Sequence, residues 1–361
     1  MACRVLTVVG ARPQFIKAAV VSHELARRGI DEALIHTGQH YDYNMSETFF
    51  RELDIPEPLR NLGISGGSHA RMTARMLEAL EDVMMGEEPG CVLLYGDTNS
   101  TLAGALAAAK LRIPIVHVEA GTRTHNRENP EEINRVCTDH VASRLLACTR
   151  ANLENLEHEG LGPISSFAGD PMFEAFSTYR ERAVVPRLVS IVDSGRLSVE
   201  AGGDYYLTCH REENTRDAET LRGILDAMEE LDAPVVYPVH PRNKRTVLGL
   251  LGQGVTNVLA VEPVGYLESV WLTSNARQVV TDSGGLQREA FFAGVKCTTV
   301  LDFEVWPETM VSNRNLLARA EREDILLAMS KPQTVDSKYQ PFGDGRASAH
   351  IVDAILEQLE D

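Results

Sequence analysis

Short apolar runs alternate along the chain with longer segments in which apolar residues recur every three or four positions. In the first half, the runs are Val5–Val9, Ala33–His36, Cys91–Tyr95, Ile115–Val118 and Leu145–Cys148. Continuous apolar runs are typical of strands buried on both faces of a parallel sheet, and the periodic segments predict the helices between them. Regular alternation of strand and helix through about the first 165 residues predicts a doubly wound domain.

The same alternation resumes after Gly169-Asp170-Pro171, where we predict a domain boundary. A chain of 361 residues is long for one domain and comfortable for two. The predicted fold class is therefore α/β, with two Rossmann-like doubly wound domains facing across a cleft. We assign residues 1–168 to the first domain, 169–345 to the second, and 346–361 to a C-terminal helix that could pack back on the first.

The charge balance is acidic, with a formal net charge of −17. Such a balance argues against nucleic acid and anionic membrane surfaces as partners, although a local cluster of cations could still bind a small anion. The six cysteines are scattered without CxxC spacing, which favours reduced packing residues in a cytosolic protein. We find neither a signal peptide nor an apolar run that could span a bilayer, so the predicted location is cytoplasmic.

Unusual polar residues follow the predicted strands, at the sheet edge where ligands bind in open parallel sheets. These residues are Arg12, Gln39, His40, Asp97, Glu119, His210, His240 and Ser283. Each also has a purely structural interpretation, such as helix capping by Asp97. Their shared location favours a ligand site, with a structural role for roughly a third of them.

The segment from Val280 to Glu289 combines an apolar run, a turn with two glycines and the start of a helical pattern. A helix N-terminus in this setting binds phosphate groups, and Ser283, Gly284 and Gly285 suit a diphosphate. The cations Arg12 and Lys17 could complete such a site. The sequence has no GxxxxGK[ST] loop, no GxGxxG after the first strand and no close-spaced set of metal ligands, so we predict neither a cofactor nor a metal.

Three carboxylates, Asp97, Glu119 and Glu131, are predicted near the same ligand. This group is too acidic for a phosphate pocket, so it should serve another part of the ligand. Neighbouring carboxylates with different pKa values carry out general acid and base catalysis. His210 is then a candidate to protonate or hydrogen-bond a leaving phosphate.

A set of motifs along nearly the whole chain resembles the non-hydrolysing UDP-N-acetylglucosamine 2-epimerases. The motifs are Gly10-Ala11-Arg12-Pro13 with Lys17, Thr37-Gly38-Gln39-His40, Gly96-Asp97-Thr98, His117-Val118-Glu119-Ala120-Gly121, Pro130-Glu131-Glu132-Ile133-Asn134-Arg135, Gly169-Asp170, His210-Arg211-Glu212-Glu213-Asn214, His240-Pro241, and Asp282-Ser283-Gly284-Gly285 with Gln287 and Glu289. Singly most are weak, but together and in this order they are specific to the family.

The resemblance implies a GT-B architecture and inversion at C2 of a UDP-sugar, without NAD and without a metal. It implies anti-elimination of UDP to a glycal and syn re-addition. The implied acid and base residues are Asp97, Glu119, Glu131 and His210. The implied substrate contacts are Arg12, Lys17, Gln39, His40, Arg135, Arg211, His240, Ser283, Gly284, Gly285 and Glu289, the last at the ribose. The family also implies a homodimer, and a second substrate molecule bound as an activator near Gln39, His40 and His240.

Two segments depart from the family pattern. The common Thr-Thr-Glu-Arg-Pro-Glu segment is replaced by Phe303–Glu308, and the loop Thr124–Asn129 is short. This loop resembles the branch acting on UDP-2,3-diacetamido-glucuronate or antibiotic-pathway sugars, where Arg127 could meet a uronic carboxylate or simply be exposed. A hydrolysing epimerase releasing N-acetylmannosamine and UDP, a glycosyltransferase of the same fold and a catalytically silent sensor remain alternatives.

Overall fold

The computed structural model describes residues 4–39, 49–252 and 255–360. By its internal contacts the chain divides into two compact units, Met1–Ala175 with Gln340–Asp361, and Phe176–Tyr339. The domain limits drawn from the sequence fall within a few residues of these limits and stay predictions.

The first unit is built on a seven-stranded, entirely parallel sheet with strand order β3-β2-β1-β4-β5-β6-β7. Its strands are β1 Arg4–Val9, β2 Asp31–His36, β3 Arg60–Asn61, β4 Cys91–Tyr95, β5 Ile115–Ala120, β6 Arg144–Ala147 and β7 Ser165–Phe167. Its helices are α1 Arg12–Arg27, α2 His69–Glu87, α3 Asn99–Leu111, α4 Pro130–Asp139, α5 Arg150–His158, α6 Pro171–Arg180 and α13 Ala347–Glu360. The limit between the two units falls within α6. A 3-10 turn covers Gly162–Ile164.

The second unit repeats this design with a six-stranded parallel sheet of order β12-β11-β10-β13-β14-β15 and a small antiparallel pair, β8 and β9. Its strands are β8 Leu188–Val189, β9 Arg196–Leu197, β10 Tyr205–Thr208, β11 Val235–Pro238, β12 Val258–Val261, β13 Val279–Thr281, β14 Cys297–Val300 and β15 Asn315–Ala318. Its helices are α7 Glu212–Thr215, α8 Ala218–Glu229, α9 Lys244–Leu251, α10 Tyr266–Asn275, α11 Gly284–Ala293 and α12 Arg322–Ser330, with 3-10 turns at Pro241–Asn243 and Pro307–Asn313.

The strand order reverses once in each sheet, between β1 and β4 in the first unit and between β10 and β13 in the second. At such a point the two flanking connections leave towards opposite faces of the sheet and open a crevice at the carboxyl ends of the strands. Each reversal therefore marks where a ligand site belongs. Two parallel, doubly wound sheets confirm the predicted α/β class.

Local chemistry explains why the connections next to these reversals turn tightly. The Gln14 side chain accepts hydrogen bonds from the N–H groups of Gly10 and Ala11 at 2.8 and 3.0 Å, and donates to the Tyr95 carbonyl at 2.8 Å. One buried amide thus joins the end of β1 to the end of β4. Thr98 caps α3 by accepting from Thr101 N–H, which is a standard way to satisfy the first turn of a helix.

Helix α13 belongs to the first unit although it follows the second in sequence. Its Ser348 hydroxyl donates to Glu174 Oε1 at 2.5 Å, and its Ala349 carbonyl accepts from Arg28, directly after α1, at 3.3 Å. Ile351, Val352 and Ile355 are fully buried. None of the helices in the described part of the chain combines the length and the apolarity that crossing a membrane requires.

Gly121, directly after β5, allows a prediction about stability. Its φ is +77°, and a Cβ added there would overlap the backbone oxygen of Asn152. We expect Gly121→Ala to lower the free energy of unfolding by about 3 kcal/mol or more, because backbone strain and a clash add. Gly160→Ala is the matched control, since its φ is +79° but a Cβ there meets nothing within 4 Å. Gly160→Ala should lower the free energy of unfolding, measured in urea, by only about 1 kcal/mol. If both variants lose the same free energy, the predicted clash at Gly121 is wrong.

Candidate active site

A cavity of about 190 Å³ lies in the first unit at the β1/β4 reversal. Four of the residues predicted from the sequence line it: Lys17, Gln39, Asp97 and Glu131. The remaining polar lining includes Gln14, His69, Thr98, Asn99 and Asn134. Two carboxylates and several hydrogen-bonding side chains thus face one small volume, as a site for a polyhydroxy ligand requires.

Asp97 follows β4 and is held by two residues of α4. Its carboxylate pairs with Arg135, whose other guanidinium nitrogen lies 3.1 Å from Glu132 Oε2. Its carbonyl accepts from the Asn134 side chain at 2.9 Å. Arg135 and Asn134 are buried, so these contacts fix the orientation of Asp97 against the helix. Arg135, predicted as a substrate contact, here contacts two carboxylates.

Glu119 has a left-handed backbone, with φ +71°, inside strand β5. The pairing of β5 with β6 shifts register between Val118 and Ala120, so a bulge surrounds this residue. Non-glycine residues in this conformation are strained, and such strain collects at functional sites. The carboxylate forms a buried ion pair with Lys17, and a Cβ built on Gly96 would lie 3.6 Å from Glu119 Oε1. Glu119 therefore lies next to Gly96, and Gly96 and Lys17 both line the cavity.

Glu131 is placed by the start of α4. The Asn129 side chain caps this helix by accepting from Glu131 N–H at 2.9 Å, and Pro130 occupies its first turn. The adjacent Glu132 turns away and accepts from the N–H groups of Thr124 and His125, each at 2.9 Å. Burial raises the pKa of Glu132, but these N–H groups outweigh it and hold its pKa below the usual value. The loop before α4 is thus tied to the helix that presents Glu131.

In the second unit, Ser283 caps helix α11 at the β10/β13 reversal. Its side chain accepts from Leu286 N–H at 3.3 Å, and its own N–H donates to Thr281 Oγ1 at 3.0 Å. The helix begins at Gly284 and Gly285, as the sequence predicts for a phosphate-binding turn. The first N–H groups of a helix have no partner within it and carry partial positive charge, so this end suits an anion.

His210 follows β10 and is held by the buried Asp282, whose Oδ1 lies 3.0 Å from His210 Nδ1. The other oxygen of Asp282 accepts from the N–H groups of His210 and Arg211, both at 2.8 Å. Burial raises the pKa of Asp282, but the His210 ring and these N–H groups hold it at about 2, below the ordinary 3.8. Asp282 therefore joins His210 to the Ser283 turn that follows it.

The other predicted contact residues are distributed over both units. The Arg12 guanidinium lies over the Phe49 ring at 4.5 Å, the Gln39 side chain accepts from Ser100 Oγ at 2.8 Å, and the Arg211 side chain donates to the Asp282 carbonyl at 2.9 Å. His240 is exposed and its Nδ1 accepts from Arg242 N–H at 3.3 Å; Glu289 is buried in α11. His40 lies outside the described residues. The functional roles of these residues remain predictions.

Among the described residues, one group has donor atoms close enough to hold a metal ion. Glu119, Cys148 and Asp170 are buried, with their donor atoms within 4.8 Å of one another. A carboxylate and thiolate set would need a cation, and the Lys17 ammonium already supplies positive charge at Glu119.

Several residues of the site were not singled out as such from the sequence. Asp282 precedes Ser283 in the quoted motif, and its charge immediately after an apolar strand is the signal that could have identified it. Glu132 and Asn134 follow Glu131 in the same motif, and Glu132 lies three residues before Arg135, at helical spacing. Gln14 has no comparable signal, because its role depends on two connections that meet only in the fold.

A family model described as UDP-N-acetylglucosamine 2-epimerase matches residues 23–356. The chain belongs to this family. The predicted resemblance is confirmed, and so is the predicted class of enzyme, an isomerase of the UDP-sugar 2-epimerase type.

The names of similar proteins agree with this family assignment. The chain is 44% identical to the UDP-2,3-diacetamido-2,3-dideoxy-D-glucuronate 2-epimerase of Pseudomonas aeruginosa, covering 98% of this chain and 99% of the relative. It is 38% identical to the UDP-N-acetylglucosamine 2-epimerase of Methanocaldococcus jannaschii, covering 96% of both. The names of these family members differ in the sugar and agree on the reaction.

Solved structures extend the agreement to the fold. The crystal structure of the M. jannaschii UDP-GlcNAc 2-epimerase in complex with UDP-GlcNAc and UDP matches with a TM-score of 0.86 at 35% identity, covering 98% of this chain and 99% of that chain. The Neisseria meningitidis enzyme bound to UDP-GlcNAc matches with a TM-score of 0.85 at 28% identity, covering 98% of this chain and 100% of that chain. These neighbours are GT-B-type epimerases, in agreement with the predicted fold class.

Proposed function

We propose that this epimerase inverts C2 of a UDP-2-acetamido sugar, interconverting UDP-N-acetylglucosamine and UDP-N-acetylmannosamine without hydrolysing them. The observation that supports this most is the arrangement of the acidic residues in the first unit. Asp97 and Glu131 line one cavity, and the Glu119–Lys17 pair stands beside Gly96 in its wall. Family membership supplies the reaction class, and the cavity supplies the acids and bases that the reaction needs.

The chemistry explains why several carboxylates are required. The C2 hydrogen of the intact sugar is only weakly acidic, because no carbonyl stands beside it. Departure of UDP from C1 develops positive charge there and acidifies the C2–H bond, so a carboxylate can take the proton as the C1–O bond breaks. The products of this step are a glycal with a C1=C2 double bond, bound UDP and a protonated carboxyl.

Re-addition completes the inversion. A second acid delivers a proton to C2 on the opposite face, and the UDP oxygen re-forms its bond to C1. The first carboxyl then gives its proton to water and the second carboxylate takes one up, which restores the starting protonation of both groups. Asp97, Glu119 and Glu131 are the proposed acid and base residues, and two of them face the cavity directly. The strained backbone of Glu119 is consistent with a side chain held for such a role.

We assign the diphosphate to the second unit on separate grounds. The N-terminus of α11 at Ser283, Gly284 and Gly285 is the proposed diphosphate site, with Glu289 at the ribose. His210, held by Asp282, is proposed to give a proton or a hydrogen bond to the departing phosphate. We propose that Arg12 and Lys17 add positive charge. Further proposed substrate contacts are Gln39, His40, Arg135, Arg211 and His240.

A second candidate substrate is UDP-2,3-diacetamido-2,3-dideoxy-glucuronate. The 44% identical P. aeruginosa relative carries this name, and the short loop before α4 is consistent with it. The same elimination and re-addition at C2 applies to this sugar, since its extra groups lie at C3 and C6. We further propose a cytoplasmic homodimer that uses neither a cofactor nor a metal.

Epimerisation in heavy water tests the proposal. We expect UDP-N-acetylglucosamine incubated with the enzyme in D2O to yield both epimers with deuterium at C2, because the proton returned comes from exchangeable acids. Proton NMR follows the loss of the C2–H signal over time. Unlabelled C2 in turned-over product would reject the elimination route.

The same time course separates the alternatives. Stoichiometric free UDP and N-acetylmannosamine would indicate a hydrolysing enzyme. Turnover only after an acceptor is added would indicate a glycosyltransferase. Binding of UDP without any turnover would indicate a sensor. A parallel reaction with the diacetamido-glucuronate substrate identifies the sugar, because the preferred substrate should have the higher kcat/KM.

A further inference from the structure

A fully buried histidine and aspartate lie behind the cavity and are not used by the mechanism above. His117, in β5, and Asp139, the last residue of α4, are both 0% exposed. His117 Nδ1 lies 2.7 Å from Asp139 Oδ1, and His117 Nε2 lies 2.8 Å from the Gly96 carbonyl oxygen. Both nitrogens of one ring are thus engaged, each with an oxygen.

The partners determine the protonation of the ring. A carbonyl oxygen can only accept, so Nε2 must carry a hydrogen. Asp139 also accepts from Gly121 N–H at 3.1 Å and lies 2.8 Å from the Arg123 guanidinium, so it is ionised and Nδ1 must donate as well. Burial raises the pKa of Asp139, but His117 and Arg123 outweigh it and hold the pKa below its usual value.

The charges around the pair balance. His117 and Arg123 are the cations, and Asp139 and Glu159 are the anions, with Glu159 Oε1 2.7 Å from Arg123 Nε. Each charge has an opposite partner within hydrogen-bonding distance, as a buried ionic group requires. The ring can therefore stay doubly protonated at this depth.

The pair contacts each of the three chain segments that carry the proposed acid and base residues. Gly96, which accepts from His117, directly precedes Asp97. His117 and Gly121 stand two residues to either side of Glu119, and both are bound to Asp139. Asp139 ends α4, the helix whose first turn presents Glu131. One ionic pair therefore spans the ends of β4 and β5 and the helix that follows.

From this geometry we propose that His117 and Asp139 form a positioning pair, which sets the spacing of Asp97, Glu119 and Glu131 for proton transfer. The proposal rests on the proposed function, because it assigns the pair to that reaction. Catalytic groups must be held within about 0.5 Å of their productive positions, and a displacement of about 1 Å can cost 10²-fold in rate. A doubly donating ring suits this task, since it fixes two oxygens at opposite ends of one rigid plane.

Two substitutions of His117 separate the two hydrogen bonds. The amide nitrogen of His117→Asn lies near the position of Nδ1 and keeps the bond to Asp139, whereas that of His117→Gln reaches the position of Nε2 and keeps the bond to Gly96. We expect each substitution to lower kcat by about 10- to 100-fold, because each breaks one of the two bonds by which the ring joins the three segments. KM and the Kd for UDP should change by less than about threefold in both.

The control variant is Glu32→Gln in the same sheet. Glu32 is a half-buried carboxyl in β2 that accepts from Thr7 in β1 at 2.5 Å, and neither residue belongs to the three segments. It should keep the wild-type kcat even where it lowers the unfolding midpoint. If His117→Asn lowers the midpoint but leaves the kcat of the folded enzyme unchanged, the pair is merely structural and the proposal is wrong.

Nitrogen NMR of the wild-type protein provides a test that does not depend on activity. With ¹⁵N-labelled histidine, the His117 signals, assigned by their loss in His117→Gln, should show a hydrogen on both ring nitrogens. A single protonated nitrogen would overturn the proposal. The two proposals can fail separately. If both ring nitrogens are protonated but the wild-type enzyme does not exchange the C2 hydrogen, the proposed function is wrong, although the ionic pair of His117 and Asp139 is present.

Discussion

Replacement of Glu119 by glutamine is expected to lower kcat for C2 epimerisation by about 10³-fold, within the usual range for loss of a general acid or base. The amide keeps the size of the side chain and its acceptor oxygen but cannot take up or deliver the proton. The Kd for UDP, measured by calorimetry, should change far less than kcat, because the proposed diphosphate site on α11 and the positive charges of Arg12 and Lys17 are all retained. A kcat within tenfold of wild type would contradict the proposed role.

Stability must be separated from activity in this experiment. Lys17 and Glu119 form an ion pair whose side chains are 3% and 7% exposed, so the single variant leaves a buried ammonium facing a neutral amide. The expected cost is about 3 to 5 kcal/mol. The double variant Lys17→Met/Glu119→Gln should recover most of this stability without recovering activity. Glu128→Gln, in the exposed part of the loop before α4, should retain both.

Asp282→Asn is expected to lower kcat by about 10²-fold or more while UDP still binds. The carboxylate faces His210 Nδ1 at 3.0 Å and favours a hydrogen on that nitrogen, which leaves Nε2 to exchange protons with the substrate. An asparagine amide can donate to Nδ1 instead, and this selects the opposite tautomer; the analogous change in a Ser-His-Asp triad has a large effect on kcat.

A double-mutant cycle decides whether Asp282 acts through His210. The variant Asp282→Asn/His210→Gln should be no slower than His210→Gln alone, because a positioning residue has nothing left to position. Losses that multiply would show that the two side chains act independently, contrary to the prediction.

The same carboxylate should give the wild-type protein an acid-sensitive component of stability. The folded pKa of Asp282 is about 2, below the ordinary 3.8, so its contribution is fully present above about pH 5 and is lost as the pH falls towards about 1. A shift of this size corresponds to about 2 kcal/mol. Urea unfolding at several pH values should show this component in wild type and lack it in Asp282→Asn.

The sheets were predictable from sequence because their strands are buried on both faces. All five residues of β4 are buried, and such a run has few alternatives to a central parallel strand. The start of α1 is less evident, because its apolar periodicity begins only near Phe15, whereas the helix begins at Arg12. Pro13 fits the first turn of a helix, where its missing N–H is not needed, and this allows the earlier start.

The candidate site was predictable in its residue types and less so in its pairings. Asp97, Glu119 and Glu131 follow strands or begin a helix, and position alone singles them out. The partner of His117 is 22 residues away, and the two meet only because α4 ends at Asp139. The left-handed backbone of Glu119 leaves no signal in the sequence, since glutamate rarely adopts it and only the surrounding bulge imposes it.

Helix α13 has a consequence for biosynthesis. The hydrogen-bonded residues Glu174 and Ser348 are 174 positions apart, and the whole of the second unit is encoded between them. A ribosome must therefore make all of residues 176–339 before α13 can dock. While the nascent chain grows, the second unit can complete its fold, whereas the first waits with the groove for its final helix still uncovered.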